Sequence, residues 1–215
     1  MTTRTGKMIL LALLFGGLFS CTDSPKERPE LKTEIAIPDD STSIETQESL
    51  TIDPSEVGPK PLQTTQALSG KLSLKLPEDF GPLSSKLMEE KYPGSQKPQE
   101  VLSNPEGNVT LAFNHTQTQI APLELGERLG EVAQSMEQAQ PGLSWDRQEL
   151  TEINGRLFIR LEFVSPSLDM PIYNQILLTS LDNRMLMIGF NCPSEYQLIW
   201  EAGAREIIQS IQLKE

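Results

Sequence analysis

Histidine occurs once in this sequence, at His115, and cysteine twice, at Cys21 and Cys192. A multi-histidine metal centre and a two-histidine zinc motif are thereby excluded, and neither cysteine lies in a Cys-x-x-Cys pair. No metal and no cofactor is expected. Basic residues are scarce: 18 Lys and Arg stand against 30 Asp and Glu, giving a formal charge of -12. Without a basic stripe the chain lacks the cations that release counterions from a phosphate backbone, so no nucleic-acid partner is expected. Glycine-rich nucleotide loops and the Gly-x-Ser-x-Gly elbow of serine hydrolases are also missing. The longest apolar run, Met8 to Phe19, falls short of the ~20 residues that span a bilayer.

What is present begins with an address. Arg4 and Lys7 precede that apolar run, the pattern of a secretory signal. It closes on Leu18-Phe19-Ser20-Cys21, which resembles the bacterial lipobox, although Phe19 is larger than the residue usual at that place. The resemblance implies cleavage between Ser20 and Cys21 and acylation of Cys21, which puts the chain at a membrane surface of the bacterial cell envelope. Several acyl chains anchor stably where one binds reversibly. Thr22 rather than Asp follows the cysteine, which in a Gram-negative envelope directs the protein to the outer membrane. A lipidated Cys21 leaves Cys192 unpaired, so no disulfide is expected and Cys192 reads as a small buried hydrophobe.

Residues 1–20 are thus the signal, and residues 21–66 form an acidic tether rich in Pro, Ser and Thr, with no hydrophobic period. As flexible chain it would span roughly 35–40 Å. Alternatively, Ile35, Ile37, Ile44, Leu50 and Ile52 form a motif that folds on a partner.

Residues 67–215 read as one globular domain. Lys71–Leu76 alternates with a period of two, Pro82–Tyr92 reads as a short helix, and Glu100–Ser103 with Asn108–Asn114 reads as a hairpin. Leu125, Leu129, Val132, Met136 and Ala139 recur at helical spacing over Pro122–Gln140. Strands follow at Ser144–Glu152, Arg156–Val164, Ile172–Leu181 and Met185–Asn191, the first two joined by Asn154-Gly155. A last helix carries Tyr196, Trp200, Gly203, Ile207 and Ile211, with Ser194 as its expected N-cap. The fold class is therefore α+β: an antiparallel sheet of about six to seven strands flanked by about three helices.

That order, together with Ile153-Asn154-Gly155-Arg156, Phe190-Asn191-Cys192-Pro193 and the closing Ile208-Gln209-Ser210-Ile211, resembles the PsbP, Mog and DcrB-like group over Leu68–Lys214. The resemblance implies a PsbP/Mog-like sandwich. Members of the group are mainly binders and assembly factors without a shared catalytic site, so function rests on local chemistry.

Local chemistry offers little for catalysis. His115 with Cys192 is the one available base and nucleophile, and a buried thiol beside a surface imidazole is the simpler reading. Glu149 with Glu152, and Glu89 with Glu90, read as solvated faces. The connection Ser165–Tyr173 and the residues Phe158, Leu168, Met170 and Tyr173 are the candidate partner-binding surface, because Met and aromatic side chains adapt to partner surfaces. The alternative, a two-sided core covering Phe158, stays open. The expected function is a noncatalytic adaptor or assembly module that binds an envelope protein and meets the membrane through Cys21. The second reading is a small apolar or lipid-like ligand held between sheet and helix.

Overall fold

The computed structural model describes residues 58–214 apart from Gln96 and Leu168. The chain folds into two antiparallel sheets and three α-helices. Strands β1 (Leu62–Ala67) and β2 (Leu72–Pro77) open the domain, followed by the short β3 (Gly81–Pro82) and helix α1 (Ser85–Lys91). Next come β4 (Glu100–Ser103), β5 (Thr110–Gln119) and helix α2 (Leu125–Ala139). Four ten-residue strands follow, β6 (Ser144–Ile153), β7 (Arg156–Ser165), β8 (Ile172–Leu181) and β9 (Arg184–Pro193). Helix α3 (Gln197–Gln209) and β10 (Gln212–Leu213) close the chain. The larger sheet has the order β3-β4-β5-β9-β8-β7-β6 and the smaller one β1-β2-β10.

The hairpins carry the register. Asn154 and Gly155 both have positive φ, as do Asp182 and Asn183, so each pair makes a two-residue turn whose twist matches its flanking strands. The first turn sets Ile153 opposite Arg156 and Glu149 opposite Arg160. At the far end of that hairpin the register shifts between Trp145 and Arg147, a bulge on the exposed edge strand. Bulge and alternating charge both discourage edge-to-edge pairing.

Because strand side chains alternate, the larger sheet sorts its apolar residues onto two faces. One face carries Phe158, Tyr173, Leu177, Ile188 and Phe190, which pack under the smaller sheet and under Trp200, Ala204 and Ile207 of α3. The other face carries Ile159, Leu161, Phe163, Ile176 and Leu178, covered by Leu125 and Met136 of α2. A third cluster, Leu83, Tyr92, Val101 and Ile172, lies against Leu87 and Met88 of α1. All ten residues of β8 are buried, the consequence of cover on both faces.

Three expectations are corrected. The tether does not reach residue 66: Leu62–Ala67 is a strand paired with β2 from Leu62 opposite Pro77 to Ala67 opposite Leu72. Its Gln and Thr side chains carry no hydrophobic period, and β2 recruits it by backbone pairing. Pro82 bonds into a two-residue bridge opposite Leu102 rather than into the first turn of a helix, and Ser84 caps α1 by accepting from the Leu87 N–H. Ser194 does not cap α3; it opens a short 3-10 turn, and α3 begins at Gln197.

Candidate functional site

The predicted partner surface divides. Phe158 and Tyr173 are each only 1% exposed. Their expected place in a partner-binding surface is corrected, because α3 and the smaller sheet cover the face on which they lie. Met170 is half-buried against the α1 cluster, while Cys21, Ser20 and Leu168 lie outside the described residues. The connection between β7 and β8 is held in place at both ends. Ser194 N–H donates to the Pro171 carbonyl at 2.9 Å; Asn174 Nδ2 donates to the Ser165 hydroxyl at 3.0 Å, and its Oδ1 accepts from Asn191 Nδ2 at 2.6 Å. This leaves Asp169 exposed at the tip of an anchored loop.

The residues weighed for catalysis are kept apart. His115 lies opposite Leu186 on β9, six residues from Cys192, which is roughly 20 Å along a strand. Both imidazole nitrogens are engaged, Nε2 with the Leu181 carbonyl at 2.8 Å and Nδ1 with the Arg184 guanidinium at 3.2 Å. Nδ1 thus acts as acceptor and Nε2–H as donor, the arrangement of a neutral ring. The imidazole is also buried, not on the surface as expected. Burial pushes the Cys192 thiol up to about 12, away from thiolate chemistry. Of the carboxylates, Glu89 pairs with Lys97 and Glu149 with Arg147 and Arg160.

Three features were not anticipated. The first is a charged network on β6, β7 and β8. Glu162, 8% exposed, pairs with Arg160 and lies 3.5 Å from Arg147 Nε. Gln175 Nε2 donates to Glu162 Oε1 and to the Tyr173 hydroxyl, both at 3.0 Å, and Tyr173 in turn faces Glu162 Oε2 at 3.4 Å. Burial and then the Glu162 charge raise the Tyr173 pKa, so the phenol stays a neutral donor. The two-residue turn at Asn154-Gly155 could have revealed the pairing of Glu149 with Arg160.

The second is Lys91, which ends α1 only 3% exposed, its ammonium without a partner among the described residues. Burial lowers its pKa to about 8. Nearby, burial raises the Tyr92 phenol to about 12, partly offset by the Thr110 hydroxyl it faces, although the two hydroxyls do not complete a well-aligned hydrogen bond. Nothing in local sequence marks this lysine as buried.

The third is a groove of about 390 Å3 between β1, β2 and the C-terminal end of α3. Asn154 Nδ2 closes its floor by donating to the Gln209 carbonyl at 3.0 Å and the Ile211 carbonyl at 2.8 Å. Ser210 Oγ accepts the Lys75 N–H at 2.7 Å and donates to the Ile207 carbonyl at 2.6 Å. Leu74 and the carbon stems of its polar side chains make about half of the lining apolar, so the groove is a mixed surface rather than the apolar pocket considered from sequence. Pro59 packs beside this site against Gly203 of α3, where a Cβ would approach its ring to 2.8 Å.

Comparison with known proteins bears on the fold. No protein-family model matches the chain, and no curated protein matches it. Among solved structures, cyanobacterial PsbP (CyanoP) from Synechocystis sp. PCC 6803 is similar at a TM-score of 0.51 and 12% identity, over 74% of this chain and 95% of that one. LpqN, described as involved in cell envelope biogenesis of Mycobacterium tuberculosis, is similar at 0.46 and 12% identity, over 72% and 91%. A Pseudomonas aeruginosa protein of unknown function, PA94, is similar at 0.44 and 11% identity, over 72% and 98%. The similarity to CyanoP and the strand order together establish an α+β domain with a PsbP-like fold.

Proposed function

We propose that this chain is a lipid-anchored protein of the bacterial envelope whose PsbP-like domain works by binding a protein partner, as an adaptor or assembly factor. The observation that carries the reading is the junction Leu18-Phe19-Ser20-Cys21 followed by 22–57, ten acids against three bases, ahead of the folded domain. A hydrophobic anchor, an acidic polar spacer and a folded domain suit a module that must reach a partner near a membrane. No helix among the described residues is long and apolar enough to cross a membrane. The noncatalytic reading draws support from His115 and Cys192, which are separated along one sheet and individually unsuited to base and nucleophile roles.

The partner surface we favour is the anchored loop at Asp169 and Met170, since its neighbours Phe158 and Tyr173 are committed to the core. Intact-mass analysis of protein from a bacterial host should show a chain beginning at Cys21 and carrying acyl groups, and Cys21→Ala should abolish both the added mass and membrane recovery. Crosslinking in cells should yield one dominant envelope partner, lost on Asp169→Lys with folding unchanged. Mature chains without acyl groups overturn the anchor; partner recovery insensitive to Asp169→Lys overturns the loop.

A further inference from the structure

We infer that the groove between β2 and the end of α3 is a binding site for a small zwitterionic amino compound, such as a free amino acid or the amino end of a short peptide. The backbone creates the site. The β10 strand pairs with β2 only at Leu72 and Ser73, and the Lys214 N–H donates to the Lys71 carbonyl, so Lys71, Ser73 and Lys75 all turn their backbone groups toward that side. Beyond Ser73 the chain has already wound into α3. Ser210 Oγ takes the Lys75 N–H, so this edge of β2 is met at Lys75 by the end of α3 and not by β10.

The side chains divide into those that build the groove and those left over. Asn154 and Ser210 spend their hydrogen bonds on tying the turn and strand to the helix end. The side chains of Thr64, Ser73, Lys75, Glu206, Gln209 and Gln212 line the same space and make no side-chain hydrogen bond or ion pair among the described residues. They comprise one cation, one anion, two amides and two hydroxyls.

Charge places the ligand. The C-terminal end of a helix carries partial negative charge and favours cations. The Glu206 carboxylate, which lines the groove at that end of α3, favours an ammonium group. The Lys75 ammonium favours a carboxylate, and the hydroxyls and amides serve whatever lies between. A purely anionic or purely apolar ligand leaves half of this lining unmatched. Affinity in so open a site is weak, with a dissociation constant of about 1 mM for a ligand of dipeptide size. The inference is independent of whether Cys21 carries lipid.

The test titrates the full chain, isotopically labelled and in detergent micelles where acylated, with dialanine while amide shifts are followed by NMR. Saturable shifts at Lys75, Gln209 and Gln212 are expected. Acetylating the dipeptide amine, or Glu206→Gln in the protein, should weaken binding about tenfold; Lys75→Gln should weaken dialanine but not dialanine amide. Lys75 and Glu206 are exposed, so both variants keep the fold, which the spectrum itself reports. Absence of saturable shifts, shifts centred elsewhere, or equal responses to free and acetylated dipeptide would overturn the assignment.

Discussion

Replacing Glu162 by Leu should cost about 3 kcal/mol of unfolding free energy. The carboxylate accepts from Gln175 Nε2 and pairs with Arg160, whose side chain is 18% exposed, and it sits among Tyr173 and Arg147. Removing one member of a buried ion pair typically costs about 3–5 kcal/mol, because the remaining charge keeps its desolvation without compensation. The low end applies here, since Arg147 is half-exposed and Arg160 retains Glu149 at 3.8 Å. Among the described residues Arg160 Nε already lacks a hydrogen-bond partner, so the guanidinium has little reserve. In urea, with a slope of about 2 kcal/mol per M, the midpoint should fall by about 1.5 M. The double variant Arg160→Met with Glu162→Leu should regain at least half of the loss, because it removes the stranded charge together with its partner. A single-variant cost below 1 kcal/mol, or a double variant equal to the sum of the two singles, would refute the claim that desolvation of a stranded guanidinium sets the magnitude.

Other outcomes follow from the same geometry. Lys91 has a pKa lowered from 10.5 to about 8 by burial, so between those values the unfolded chain binds the extra proton and stability gains as pH rises. Cys192 and Tyr92, both raised, oppose this from their unfolded values upward, so the comparison is with Lys91→Met: the variant should be the more stable at pH 7 by about 2 kcal/mol, with the gap closing toward pH 10 in denaturant titrations. Cys192 should resist alkylation at pH 8 in folded protein and react once the chain is unfolded, as peptide mass analysis would show; rapid labelling of the native state contradicts the burial. Gly203→Leu should push Pro59 off α3 and cost about 2 kcal/mol, with hydrogen exchange accelerating in β1 but not in β8; equal acceleration in both would mean global rather than local loosening.

Legibility in sequence tracks how local each determinant is. The four long strands and two long helices were readable because their signals are short-range: alternation, a 3.6-residue stripe on α2, and Asn154-Gly155 as a two-residue turn. β1 was missed because Leu-Gln-Thr-Thr-Gln-Ala has no periodicity, and its strand state depends on β2 ten residues onward. Phe158 and Tyr173 read as a partner surface on residue type alone, whereas the cover over their face comes from α3 and the smaller sheet, distant in sequence. Arg160 and Glu162 share that face, and their charges neutralise one another in a network completed by Gln175, which no local rule pairs with Glu162 thirteen residues away. The groove was invisible for the same reason at longer range: Lys75 and Ser210 meet across 135 positions of chain.

The two surfaces singled out lie at opposite ends of the larger sheet. Ile172 pairs with Pro193 beside the start of α3, whereas Asn154 bonds the carbonyls at its end, so α3 runs from the anchored loop to the groove. β7 alone, ten residues long, separates them by roughly 30 Å. Pro59 meets the middle of α3, at Gly203. A partner at Asp169 and a small ligand at Glu206 are therefore sterically compatible, and any coupling between them must pass through α3, whose Trp200, Ala204 and Ile207 are packed against the sheet along its length. A rigidly packed helix transmits little unless it has a second arrangement to adopt. Partner affinity should then be unchanged by dialanine, and Glu206→Gln should leave partner recovery intact; a change in either would reveal a second position of α3.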